Sequence, residues 1–256
     1  MTICIVCGIF DLSTGSMYGV AGVVAAKTAN AVDPTVGILA GVLAGLGLGI
    51  VNGAVVSATR VNSFIGTLAT SIVYRGVAII VTSGLIVTVD KASFGSLGRN
   101  DLLGAKYSVW VFGAFALLTT FVLARTTFGR YVYAVGGNPE AARLSGIRVD
   151  LVRGACFALS GLASGIAGVL AASRTSSAQA DLGTGLELSA IAAAVVGGTS
   201  ILGGEGAVWR GVLGVLTLAI IGNGFDLLNI DTTYQMVVQG TLILLAVAAD
   251  QLLRRR

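Results

Sequence analysis

The chain has 256 residues, 55% of them hydrophobic and only 11% charged, with no histidine and a formal net charge of +4. Its mean hydropathy is +0.92, where an ordinary soluble domain carries about 25% charged residues. A surface this poor in Lys, Arg, Asp and Glu argues against a soluble domain and for an all-α, polytopic integral membrane protein. The positive balance does not point to nucleic acid either, because the basic residues form no stripe interleaved with aromatics.

Residues 1–10 are apolar but too short to span a bilayer, and they lack the charged start and cleavage motif of a signal peptide. They read as the tail of a helix whose beginning is absent. Cys4, Cys7 and Cys156 all sit in apolar surroundings. With no histidine to complete a site, they read as buried packing rather than metal or redox chemistry. Asp11-Leu-Ser-Thr-Gly-Ser16 follows, just before a helical run, and has two readings. Asp11 or Ser13 accepts from the free N–H groups of that helix, or the segment is the break in a discontinuous membrane helix.

Apolar runs long enough to cross, or half cross, a bilayer cover residues 16–29 (short), 36–57, 63–84, 108–124, 151–172, 190–202 (short), 207–222 and 234–249. They predict about eight transmembrane or half-membrane helices. Gly41, Gly45 and Gly49 recur every fourth residue in the second of these, and Gly161-x-x-x-Gly165 repeats the device. Small residues let membrane helices approach closely, and internal packing is the reading preferred to a dimer seam. Arg75 falls inside the 63–84 run, where a central arginine costs about 2.5 to 3.5 kcal/mol unless it faces protein or water. Ser71 and Thr67, one and two turns earlier, extend its polar stripe. The linkers 85–107 and 125–150 are too short for a soluble core, so residues 1–256 form one membrane domain.

Glu187 opens the short 190–202 run, either as a solvated helix-start acid or as a pathway group. Gly197-Gly-Thr-Ser-Ile-Leu-Gly-Gly-Glu-Gly206 has no lysine and follows a span rather than a strand, so it reads as an irregular helix end and not a phosphate loop. Without histidine, the chain cannot build a Ser-His-Asp or Cys-His site, and no nucleotide-binding G-x-x-x-x-G-K-[ST] run is present. It is predicted to be no enzyme.

An even number of crossings puts both ends on one side. With the ends inside, the inner segments hold Arg60, Arg125, Arg130, Arg143, Arg148, Arg153, Arg210, Arg254, Arg255 and Arg256. The outer ones hold Lys27, Lys91, Arg99, Lys106 and Arg174. The positive-inside rule therefore places the C-terminus and the 125–150 loop in the cytoplasm. In that loop, Gly136-Gly-Asn-Pro-Glu-Ala-Ala-Arg-Leu-Ser-Gly146 predicts a short helix outside the bilayer. Asn138 caps it, Pro139 suits its first turn, Glu140 meets the positive end of its dipole, and Gly146 turns the chain away. Ala141 and Ala142 leave a small, flat face on which another protein can dock.

In order and spacing, six segments resemble the permease subunits of bacterial ABC importers for monosaccharides, of the ribose, arabinose and xylose type, over nearly the whole chain. They are Asp11-Leu-Ser-Thr-Gly-Ser16, Asn62-Ser-Phe-Ile-Gly-Thr-Leu68, Tyr74-Arg-Gly76, Gly136 to Ile147, Ala190-Ile-Ala-Ala-Ala-Val-Val-Gly-Gly-Thr-Ser200 and Gly203-Gly204. The resemblance implies a permease of the bacterial cytoplasmic membrane that passes a monosaccharide or small polyol by alternating access. ATP and magnesium would be bound by a separate cytoplasmic ATPase subunit, with no cofactor or metal in this chain. A sugar-binding protein would deliver substrate from outside, and a second permease chain would complete the pair.

The family's E-A-A-x-x-x-G pattern falls on Glu140, Ala141, Ala142 and Gly146, so the resemblance makes Asn138, Glu140, Ala141, Ala142, Arg143 and Gly146 the ATPase-coupling residues. Asp11, Ser13, Asn62, Phe64, Thr67, Arg75 and Glu187 are the candidates for the translocation path. Family members begin with a cytoplasmic tail, a whole span and half of another before the Asp-Leu-Ser segment, so the chain is expected to be N-terminally incomplete. Two other readings remain: an ion-coupled carrier, which needs intramembrane carboxylates of which only Asp11, Glu187 and Asp226 come near a span, and an inactive or regulatory membrane subunit.

Overall fold

The computed structural model describes residues 1–231 and, beyond them, Tyr234, Gln235, Val237, Val238, Gly240, Thr241, Leu244 and Ala248. The predicted span 234–249 lies largely outside the described residues, as do Arg254, Arg255 and Arg256. Every other predicted span contains a helix, although the 190–202 run is helical only as far as Val196 and then turns. Five helices among the described residues are long and apolar enough to cross a membrane: α3 (Pro34–Thr59), α4 (Ser63–Thr82), α6 (Tyr107–Arg125), α9 (Val149–Thr175) and α11 (Val208–Leu227). The two runs predicted as short are α2 (Thr14–Ala31) and α10 (Leu186–Val196). The smaller helices include α1 (Thr2–Val6), α5 (Ser96–Arg99), preceded by a 3-10 turn at Ala92–Gly95, the eleven-residue α7 (Thr127–Gly137) and α8 (Pro139–Leu144).

The chain divides into two compact units. One comprises Phe10–Phe115 and Asp150–Glu187. Its core is made of small and β-branched residues: Val23, Ala25, Ala26 and Ala29 of α2 meet Val169 and Ala172 of α9, with Phe94 closing one end. The glycine stripe explains how these helices come so close. A methyl group on Gly45 would stand 2.6 Å from the carbonyl oxygen of Gly161, and one on Gly53 would stand 2.8 Å from the Cα of Gly154. Backbones in such contact leave no room for side chains, so Gly41, Gly45, Gly49 and Gly53 pack α3 internally against α2 and α9. Gly47, on the other side of α3, meets nothing within 4 Å.

At one end of this unit the 85–107 linker folds into small pieces rather than a loose loop. β1 (Val87–Thr88) pairs antiparallel with β4 (Ser177–Ala178), and β2 (Asp101–Leu102) turns back on β3 (Ala105–Lys106). The Ser173 hydroxyl donates to Phe94 O at 2.6 Å and accepts from Gly98 N at 2.8 Å, tying this cap to the end of α9.

The other unit comprises Met1–Ile9, Ala116–Val149 and Leu188–Arg256. Here α1 lies against α7 and α11, and α8 follows α7 directly. Cys4 and Cys7 are buried here, as Cys156 is in the first unit, and none is in a disulfide.

The helix surfaces confirm the solvent. Ile80 is 79% exposed, Leu117 74% and Ile220 71%. Side chains of this kind at this exposure suit lipid, where they cost nothing, and not water.

Candidate functional site

Two local arrangements bring together the residues singled out in the sequence, one in each unit.

The first is a buried polar chain around the start of α2. Asp11, Ser13, Asn52 and Thr67 are all fully buried. The Tyr74 hydroxyl donates to Asn52 Oδ1 at 2.8 Å, Asn52 Nδ2 donates to Ser13 Oγ at 2.6 Å, and Ser13 Oγ donates to Asp11 Oδ1 at 2.6 Å. Every donor points toward Asp11, so the carboxylate ends the chain. Asp11 Oδ1 also accepts from Ser13 N at 3.1 Å, while its Oδ2 is buried with no hydrogen-bond partner. Thr67 Oγ1 holds the same segment from the α4 side, accepting from Leu12 N at 2.9 Å.

This geometry corrects the capping reading of Asp11 and Ser13. Ser13 is the residue that precedes α2, yet no side chain caps that helix. Asp11 bends back onto the N–H and hydroxyl of Ser13 instead, because the chain there is turning and not yet helical. Helix stops at Val6 and resumes at Thr14, as the alternative reading of a discontinuous segment requires.

The remaining path candidates scatter. Asn62 is exposed and caps α4, its Oδ1 accepting from Phe64 N at 2.9 Å. Phe64 is 46% exposed and meets Phe10 edge to face with ring centroids 6.4 Å apart. Arg75 is half-buried inside α4, and its Nε is buried without a partner. Glu187 does sit in the first turn of α10, but it is not simply solvated: its Oε2 is buried, has no hydrogen-bond partner, and lies where a side chain on Gly15 would be. Asn52 is the member that sequence reasoning missed. The available signal was an amide inside the otherwise apolar 36–57 run. Tyr74 stood in a quoted motif without being assigned a role.

The second feature is α8. Asn138 Oδ1 accepts from both Glu140 N and Ala141 N at 3.0 Å, Pro139 occupies the first turn, and Glu140 is the acid there. The helix ends with Gly146 at φ +83°, where Ile147 N donates to Ala142 O and Gly146 N donates to Arg143 O, both at 3.0 Å. This paired closure satisfies the last carbonyls and suits glycine. Glu140, Ala141, Arg143 and Leu144 are exposed, with Leu144 at 87%. Ala142 is the correction here: at 5% exposure it faces inward and cannot belong to the flat outer face expected of it.

Tyr133, on α7 just before α8, donates to Gly206 O at 2.6 Å. Burial raises its phenol above the ordinary tyrosine range, and nearby Arg210 opposes that shift. The donor therefore stays protonated through neutral pH.

The fold is that of a polytopic helical membrane protein, with a buried polar chain in one unit and a capped short helix in the other. Comparison with known proteins makes this specific. Residues 1–247 match the family described as the permease component of branched-chain amino acid transport systems, and the chain belongs to that family. Among curated relatives, the ribose import permease protein RbsC of Escherichia coli K12 is 40% identical over 98% of this chain and 79% of that protein. The L-arabinose permease AraH of Azospirillum brasilense is 40% identical over 97% of the chain and 74% of its own length. AraH of E. coli K12 is also 40% identical, over 98% and 77%. The motif resemblance to sugar-importer permeases thus stands, and the chain is a permease subunit. No solved structure matches it significantly.

Proposed function

We propose that this permease is the membrane subunit of an ATP-driven importer of a monosaccharide or related small polyol, working by alternating access in the bacterial cytoplasmic membrane. The observation that carries the reading is α8, capped at both ends and exposing Glu140, Ala141, Arg143 and Leu144. A rigid six-residue helix with a mixed charged and apolar face suits a groove in a partner, and it binds no nucleotide itself. A cytoplasmic ATPase subunit, which would hold ATP and magnesium, supplies the force. An extracytoplasmic sugar-binding protein and a second permease chain complete the importer, with residues 125–150 and the C-terminus on the cytoplasmic side.

Asp11, Ser13 and Thr67, with Asn52 and Tyr74, form the polar element of the path, alongside Arg75 and Glu187. The unpartnered Asp11 Oδ2 and Glu187 Oε2 would accept from sugar hydroxyls, and Arg75 Nε would donate to them, in a conformation that uncovers these buried atoms. Co-purification of the ATPase subunit tests the docking assignment. Glu140→Lys reverses the charge at the helix start and Gly146→Arg destroys the closing turn, and each is expected to reduce co-purification by about tenfold, an ordinary interface effect. Full retention by both variants overturns the assignment.

The buried Asp11 carboxylate and the buried, unpartnered Glu187 Oε2 are the observations that favour an ion-coupled carrier instead. That reading requires uptake to follow an ion gradient and not ATP.

A further inference from the structure

In one unit, three stretches of backbone meet with almost no side chain between them: the end of α1, the end of α7, and the turn 197–206 that joins α10 to α11. Gly204 N donates to Val6 O at 2.8 Å. Gly136 presses on both partners of that bond, since a methyl group there would collide with Val6 O and stand 2.6 Å from Gly204 N. One on Gly203 would stand 2.8 Å from Gly136 O and 2.9 Å from Gly8 Cα, and one on Gly204 2.8 Å from Gly137 Cα. Gly203 and Gly204 also take φ +87° and +73°, which favour glycine. Three residues before Gly136, the Tyr133 hydroxyl bonds Gly206 O at 2.6 Å and fastens the same turn a second time. Asn138, which caps α8, also closes α7, its N–H donating to Ala134 O at 3.1 Å.

We propose that Tyr133, Gly136, Gly203 and Gly204 are positioning residues that transmit displacement of α8 to the α10–α11 turn and to the start of the chain. Side chains absorb small displacements by changing rotamer, whereas backbone packed directly on backbone, tied by the Gly204 N to Val6 O bond and by the Tyr133 hydroxyl to Gly206 O, has little such slack. Pushing α8 moves Asn138, then the last turn of α7, then the turn that begins α11. The inference rests on α8 being the ATPase-docking helix.

The test uses the permease assembled with its ATPase subunit. An environment-sensitive label is placed at one of two exposed positions, Arg148→Cys just after α8 or Leu202→Cys on the turn, the native cysteines being buried. In the parent protein both labels are expected to respond to ATP. In Gly136→Ala and Tyr133→Phe, the ATPase subunit is retained and the Arg148 label responds as before. The response at Leu202 is expected to fall about tenfold in the first variant and about fivefold in the second, within the range of ordinary coupling free energies. Gly137→Ala, whose added methyl meets nothing within 4 Å, should respond like the parent.

A merely structural role would lower ATPase retention and both responses together. That outcome, or an unchanged Leu202 response in Tyr133→Phe, overturns the inference. Tyr133→Phe decides the matter should Gly136→Ala fail to assemble. A parent protein whose Arg148 label is silent to ATP overturns the docking reading itself.

Discussion

Asn52 is the hinge of the buried chain, bonded on one side to Tyr74 and on the other to Ser13. Removing it takes one partner from each of two buried hydroxyls, which keep only Leu48 O and Asp11 Oδ1, whereas Tyr74→Phe takes a partner from the Asn52 amide alone. Asn52→Leu should therefore cost about 2 kcal/mol and Tyr74→Phe about 1 kcal/mol. Unfolding in detergent micelles measures both, and equal losses would mean that the chain does not run through Asn52.

Asp33, the cap of α3, gives a pH dependence of definite sign. The Thr35 N–H holds its carboxyl below the ordinary aspartate range. A lowered folded value means that its contribution is present above the unfolded value and is lost as pH falls through the folded one. Acidification from about pH 7 to about pH 3 should thus destabilise the parent more than Asp33→Ala, as read from the two melting profiles.

Among the elements, α8 was almost fully legible in the sequence, because its start and stop are local codes: Asn-Pro-Glu at one end and Gly146 at the other. The error at Ala142 arose because the side that faces inward is set by the packing of α7 and α8, which no local code states. The buried chain was legible only in pieces. The Asp11–Ser13 turn, Asn52 and Tyr74 are far apart along the chain and meet because the glycine stripe brings α3 close. The capping reading of Asp11 failed for a related reason: a carboxylate before a helix has two backbone targets, and only the fold selects Ser13.

The stripe itself supplies a sharp contrast between neighbours. Gly49→Leu places a side chain where the Phe157 carbonyl lies, and should cost about 3 kcal/mol or prevent folding. Gly47→Leu enters open space and should change stability by less than about 0.5 kcal/mol. Size-exclusion profiles and melting in detergent separate the two. Equal tolerance of both would mean that α3 does not pack internally along this face.

At the scale of the whole molecule, α6 and α11 keep most of their apolar surface uncovered within the single chain: the share buried in their most apolar windows is 11% and 17%. Such helices need lipid or another membrane chain, as a paired permease provides. The path chemistry and the α8 handle then belong to one cycle only if ATP hydrolysis elsewhere drives solute across. Uptake of a panel of labelled monosaccharides and small polyols into proteoliposomes holding this permease, its ATPase subunit and its binding protein tests that most directly. The account predicts uptake that requires all three components and ATP, and that is lost in Glu140→Lys. Uptake that persists without ATP and collapses with an ion gradient would contradict it.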